Sequence, residues 1–175
     1  MKPFLRIPGF FLGLLCFVLV TGCAGYRIGP AVPKIMEGVQ TIAIPTFENK
    51  TLIPRLEVLA ASTLIRQFQQ DGTFRIAGED EADVILEGTI ADIRRSSARS
   101  VRGDLLASRE YELIITVEYE VTRRSTGERI DSGRIRGETS FYVSGNDVNQ
   151  DERQAYPLAL EQASIQLVSR LSEGW

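Results

Sequence analysis

The chain of 175 residues contains no histidine. That one absence removes the commonest general base, the Ser-His-Asp arrangement and the commonest metal ligand together. Cysteine is nearly as scarce, with Cys16 and Cys23 the only two. If the N-terminal segment is processed as read below, Cys16 leaves with it and Cys23 is acylated. No thiol then remains for a disulfide, a metal or a nucleophile. The glycines form no GxGxxG or other phosphate-cradling pattern. Glu79, Asp80 and Glu81 fall in a turn without apolar surroundings, so nothing there tunes a carboxylate for acid or base work. Internal repeats are also missing. The expectation is a non-enzymatic protein with no catalytic residues, no cofactor and no metal.

What is present is concentrated at the start. Lys2 and Arg6 precede an almost wholly apolar run from Phe10 to Val20, and Leu19-Val20-Thr21-Gly22-Cys23 closes it. The run has signal-peptide length and falls short of the roughly 20 apolar residues that span a bilayer. Its end resembles the lipobox of bacterial lipoproteins, in which small residues admit the peptidase and the Cys thiol accepts diacylglycerol. The sequence therefore predicts a cleaved signal peptide over 1–22, a lipidated tether over 23–38 beginning at Cys23, and one domain over 39–175. Each buried CH₂ of an acyl chain adds about 0.8 kcal/mol, so several chains on Cys23 hold a protein durably on a membrane. No Asp follows Cys23, which resembles the outer-membrane address of enterobacterial lipoproteins. Removal of residues 1–22 leaves 18 of the 20 basic residues against 23 acidic ones, a net charge of −5. That acidic balance argues against a nucleic-acid partner.

The mature 153 residues suit one domain with a sizeable core. Gly25, Gly29, Pro30, Pro33 and Gly38 punctuate the tether. Val39 to Ile44 reads as a strand stopped by Pro45, and Phe47 to Thr51 as a loop whose Asn49 and Thr51 suit backbone bonding before a helix. Leu56, Leu59, Ala60, Thr63, Leu64 and Phe68 recur at helical spacing, which predicts a helix from Pro54-Arg55 to about Gln70, ended by Asp71-Gly72. Ala82 to Ile93 reads as a strand and Arg94 to Asp104 as a polar segment. Tyr111 to Val121 alternates strictly, with Ile114 alone breaking the polar face, as in an antiparallel sheet with one wet side. Ile130 to Val143 is its hairpin partner across Ser125-Thr126-Gly127-Glu128, and Gly133 and Gly137 within it permit close approach of backbone or ligand. A last helix is predicted from about Asp151 to Ser172, with Pro157 in its first turns and Tyr156, Leu160, Ala163, Leu167 and Leu171 as its stripe. The order defines an α+β two-layer sandwich, with two amphipathic helices packed on a mostly antiparallel four-stranded sheet.

The charged candidates are arginines. Arg94, Arg95, Arg99 and Arg102 form the densest positive run. Guanidinium forks match phosphate geometry, so this run reads either as an anionic-ligand or partner contact or as a solvated hairpin loop. Arg123 and Arg124, with Arg129, Arg134 and Arg136, form a second set whose simplest role is cross-strand pairing with Glu112, Glu118, Glu120 and Glu128. The two sets merge into one patch only if both hairpins lie at one end of the sheet.

Cys23-Ala24-Gly25-Tyr26-Arg27, followed by Ile42-Ala43-Ile44-Pro45-Thr46-Phe47-Glu48-Asn49-Lys50-Thr51 and by Ala82-Asp83-Val84-Ile85-Leu86-Glu87-Gly88-Thr89-Ile90, resembles the LptE family of lipopolysaccharide-assembly lipoproteins. The resemblance covers the mature chain. It implies a non-enzymatic outer-membrane lipoprotein of a Gram-negative bacterium that plugs and helps assemble the LptD-like β-barrel and binds lipopolysaccharide. Arg94, Arg95, Arg99, Arg102, Arg123 and Arg124 are the candidate lipopolysaccharide or barrel contacts, with no family motif assigning a role to any single one. The alternative is an LpoB- or CsgG-like lipoprotein, a peptidoglycan-synthase activator or secretion-pore subunit, which shares an acylated Cys and an Ile-Ala-Ile strand. An activator must reach across the periplasm on a long linker. Here about 15 residues separate Cys23 from the first strand, at most ~50 Å when fully extended.

Overall fold

The computed structural model describes residues 32–99, 109–143 and 148–174. The signal peptide, Cys23, most of the tether and Arg102 lie outside the described residues. Six strands alternate with two helices: β1 (Thr41–Ala43), β2 (Glu48–Asn49), α1 (Leu56–Asp71), β3 (Arg75–Ile76), β4 (Val84–Arg99), β5 (Arg109–Arg123), β6 (Glu128–Val143) and α2 (Val148–Glu173). The sheet order is β3-β1-β4-β5-β6, with β2 placed beside β4 above β1. Both helices lie on one face, and the core between the layers runs from Ile42 and Phe68 to Leu113, Leu160 and Leu171. The α+β sandwich is as expected, but the sheet is larger than four strands and its short part is parallel. β1 pairs in parallel with both β3 and β4, and β2 in parallel with β4. The reason is α1, which carries the chain back down the sheet so that β3 starts again beside β1 in the same direction.

The long meander β4–β5–β6 is antiparallel and continuous. Leu113, Ile115, Val117, Tyr119 and Val121 of β5 face the helices and are buried. Opposite them, β4 contributes Val84, Leu86 and Ile90. A bulge at Ala91 then shifts its phase: Ile90 opposes Val117, but Asp92 opposes Thr116 and Ile93 opposes Ile115. An extra residue on one strand exchanges the two faces for everything beyond it. This is why the strand does not end at Ile93. Arg94 and Ser96 turn to the open face, Ile93, Arg95 and Ser97 to the helix side, and the strand continues to Arg99.

Two glycines set how closely the layers meet. A Cβ on Gly137 would overlap the carbonyl oxygen of Ala159 in α2, and one on Gly88 would land in the Phe47 ring. Helix α2 starts three residues before Asp151, so Pro157 is interior to it and not in its first turns. Pro157 is exposed, and the carbonyl it leaves without a helical donor belongs to Arg153 on the solvated side.

Asp83 ties the start of β4 to β1. Its Oδ2 accepts bonds from the Gln40 N–H, the Thr41 N–H and the Thr41 hydroxyl, each at 2.9 Å. The Thr41 hydroxyl accepts the Asp83 N–H in return at 2.9 Å. These bonds, led by that from the Gln40 N–H, hold the Asp83 carboxyl below its ordinary pKa.

Gly137→Ala is expected to cost about 3 kcal/mol or more, because the obstacle is helix backbone. Gly88→Ala meets a side chain, so a Phe47→Leu background should restore much of its loss and leave that of Gly137→Ala unchanged. Urea titrations of the four variants measure both. Because the folded Asp83 pKa is depressed, its contribution is complete above the unfolded value of about 3.9 and is lost as pH falls through the lower folded value. Asp83→Asn should therefore lower stability by about 1 kcal/mol or more at pH 7. Its acid unfolding curve should also be shallower below about pH 4.

Candidate functional site

The sheet face away from the helices carries the polar half of each alternation. Register sets Arg94, Ile114 and Glu138 in one row, Asp92, Thr116 and Arg136 in the next, and Thr89, Glu118 and Arg134 in a third. Between them lies a hollow of about 390 Å³ lined by Ala91, Asp92, Arg94, Ile114, Thr116, Arg134 and Arg136. Arg94 Nε donates to Asp92 Oδ2 at 2.7 Å. Arg134 pairs with Glu118, its Nε donating at 3.1 Å to Oε1. Arg136 has no ion-pair partner among the described residues. The hollow thus has an apolar floor at Ile114, one unpaired guanidinium and two held in place by carboxylates. At its upper border the Glu112 and Glu138 side chains meet. Their mutual hydrogen bond lowers the pKa of Glu112 and raises that of Glu138, and the charge of Glu112 raises the latter further.

Of the six arginines named from the sequence, the five within the described residues do not converge. Arg94 lies on the open face at the hollow. Arg95, one residue on, points the other way: it pairs with Glu152 of α2 and lies 5.9 Å from the centroid of the Tyr111 ring, which stacks on Phe141. Arg99 is in β4, its side chain outside the described set. Arg123 and Arg124 sit at the opposite end of the sheet, because successive turns of a meander alternate ends. The single patch of both sets is therefore not formed. Arg124 Nε donates to the Ala82 carbonyl at 2.7 Å and so fastens the start of β4. The pairing reading of the second set holds for Arg134 with Glu118 and for Arg129 with Glu120 at 3.6 Å. Arg134 and Arg136 join Arg94 at the hollow. The signal for this was in the sequence, since both flank the inward Ile135, but the bulge that brings Arg94 to the same face was not.

Two further polar clusters bind α2 to the sheet. At the upper end Glu152 accepts from Arg95 and, at 3.1 Å, from the Tyr156 hydroxyl. Burial, then the charge of Glu152, push the Tyr156 hydroxyl up to about 12. At the lower end Asp131 accepts from the Tyr119 hydroxyl at 2.9 Å and from Arg170 at 3.0 and 3.2 Å. Burial raises the Asp131 pKa, but the Arg170 and Tyr119 bonds outweigh it and hold it below its ordinary value. Burial and Asp131 raise that of Tyr119. Among the described residues no cluster of Cys, Asp or Glu is arranged to hold a metal ion, and no helix is long and apolar enough to cross a membrane.

The Phe47–Thr51 motif is a structural bracket, as its residue types suggested, with β2 inside it. Asn49 Oδ1 accepts from the Thr51 N–H at 2.9 Å and the Thr51 hydroxyl at 2.7 Å. Its Nδ2 donates to the Ile53 carbonyl at 2.8 Å and to Glu57 Oε2 at 2.9 Å. The next turn ends at Arg55, the one non-glycine residue with positive φ (66°) among those described. Held at its tip is Leu52, 99% exposed.

The described domain is thus a small α+β sandwich with one helix-covered face and one open, arginine-bearing face. The chain belongs to the LptE family, lipopolysaccharide-assembly proteins, whose pattern matches residues 39–171. Curated proteins give no match. Among solved structures the fold is similar to that of the PelC dodecamer from Paraburkholderia phytofirmans (18% identity, 81% of this chain and 93% of that chain, TM-score 0.51). It is similar also to a minor lipoprotein from Acinetobacter baumannii (17%, 77% and 91%, 0.51) and to uncharacterized lipoprotein B from Nitrosomonas europaea (14%, 85% and 90%, 0.53). At these identities the likeness is one of fold.

Asn49→Ala leaves the Ile53 carbonyl and the Thr51 donors without their partner. A loss of about 2 kcal/mol is expected, with faster amide exchange confined first to residues 50–55. Exchange that quickens equally across β5 would show that the bracket has no local role.

Proposed function

We propose that this protein is a non-enzymatic outer-membrane lipoprotein that plugs and helps assemble an LptD-like β-barrel and binds lipopolysaccharide during its insertion into the outer leaflet. In this reading residues 1–22 are a cleaved signal peptide, Cys23 carries the acyl anchor, residues 23–38 are a tether and residues 39–175 form the domain. The membership over residues 39–171 supports the assembly role. The observation that carries the binding role is the hollow of Arg94, Arg134 and Arg136 over Ile114. A phosphorylated glycolipid offers both phosphates for guanidinium forks and an apolar body for Ile114. Two of the three arginines are pre-set by Asp92 and Glu118, which reduces the side-chain entropy lost on binding. A plug inside a wet barrel lumen also needs a charged exterior, and the open face supplies one. Arg94 is kept from the sequence candidates. Arg95 and Arg124, already bonded to Glu152 and Ala82, are assigned to holding the domain together.

The test is purification from outer membranes in mild detergent, with the cognate barrel co-expressed. A large β-barrel at near one-to-one ratio, with lipopolysaccharide, is the expected result. Recovery of a peptidoglycan synthase, or of a homo-oligomeric ring without a barrel, overturns the reading in favour of the LpoB- or CsgG-like class. Arg94→Glu combined with Arg136→Glu should weaken lipopolysaccharide binding about tenfold or more with an unchanged circular dichroism spectrum. Arg123→Glu, at the other end of the sheet, should leave binding as it was.

A further inference from the structure

The upper half of β4 has a neighbour on one side only. β2 pairs with it at Thr89 and Ile90, and the Lys50 N–H donates to the Ile90 carbonyl at 3.0 Å. There the Asn49 bracket lifts the chain away. β4 continues to Arg99 with β5 beside it, and from Asp92 to Ser97 no backbone bond is made on the other side among the described residues. The opposite edge of the sheet is treated differently: the Glu138 N–H of β6 is taken by the Gln162 side chain of α2. An unpaired edge is ordinarily shielded, because its amides and carbonyls template another strand.

Beside this edge lies a hollow of about 520 Å³. Ala91 and Ile93 form its base, Leu52 and Ile53 its apolar wall, and Arg95 and Glu152 its far rim. Leu52 is 99% exposed, yet the turn that presents it is fixed by four Asn49 hydrogen bonds. A rigid turn, an exposed leucine and a free strand edge thus meet at one place.

We infer that this slot is a strand-docking site, in which an extended segment of the barrel partner pairs with β4 over Asp92–Ser97 and covers Leu52. The occupant is polypeptide because only a peptide backbone repeats donors and acceptors at the spacing of the edge. An apolar side chain of that segment fills the hollow against Leu52 and Ile93. This inference rests on the barrel-partner reading given above.

Hydrogen–deuterium exchange of the full-length protein, free and in its detergent-purified barrel complex, tests it. Amides of residues 91–97 and 50–53 should slow on complex formation. Leu52→Asp, at a side chain with no packing to lose, should weaken the complex about tenfold or more without changing the free protein's melting temperature. A complex that forms while these amides exchange as in the free protein overturns the inference and leaves the functional reading standing. Slowing in concentrated protein alone assigns the edge to a second copy of this chain and also overturns it. If no barrel complex forms, the functional reading fails and this inference with it.

Discussion

The carbonyl oxygen of Ala159 occupies the place where any residue other than glycine at 137 would carry a Cβ. Helix α2 therefore rests its backbone on β6. That contact fixes the height of the helical layer over the sheet, and the rest of the core is filled to match it. Close to Gly137 the helix offers the small residues Ala159 and Ala163. Away from it the larger Tyr156, Leu160, Leu167 and Leu171 reach across to β5 and α1. Two polar clamps then fix the helix along its length, Glu152 to Arg95 above and Arg170 to Asp131 below. In each the carboxylate side chain is only 11% exposed, so loss of its partner would leave it buried and unpaired. The clamps explain the fate of several charges that look free in the sequence.

Much of the fold was legible because the layers are amphipathic at the two standard periods. The α1 stripe, the α2 stripe and the apolar side of β5 are buried as their spacing required, with Leu59 and Tyr111 only partly so. What could not be read were features set by contacts distant in sequence. β3 is two residues long, and its neighbour in the sheet is chosen by the return path through α1. The upper part of β4 is polar on its open side and amphipathic only after the Ala91 bulge, so it resembled a loop. Gly88 was visible as a glycine inside a strand, but its cause, the Phe47 ring, lies 41 positions earlier. Pro157 suggested a helix start, because nothing local shows that α2 begins at Val148.

The same distinction governs the candidate site. Runs of arginine in sequence suggest a patch, yet neighbouring strand residues face opposite ways. Arg94 and Arg95 are adjacent and end on different faces of the sheet, with different duties. Arg94 is distant in sequence from Arg134 and Arg136, yet the three share one hollow. Local composition thus identifies the type of residue but not which arginines share a face. That grouping needs the register of three strands and one bulge.

The fold itself is similar to that of the PelC dodecamer and to that of a minor lipoprotein. Fold alone therefore does not choose a partner; sites placed on it do. In this chain the helix-covered face is consumed by the core, and the β6 edge is at least partly capped by α2. Two surfaces are left with unspent chemistry. Among the described residues, Arg136 on the open face has no carboxylate partner and the upper edge of β4 has no backbone neighbour beyond Ile90 on its β2 side. Arg136 stands on β6 and the free edge on β4, and Arg94 and that edge both lie beyond the Ala91 bulge. The bulge that turns Arg94 towards the open face lies where β2 leaves β4, just before the free edge begins. Deleting Ala91 would remove the bulge yet leave Asp92 opposite Thr116 and Arg94 opposite Ile114, so the face of Arg94 is held by its register with β5, and only pairing Ala91 itself with Thr116 would turn Arg94 inward.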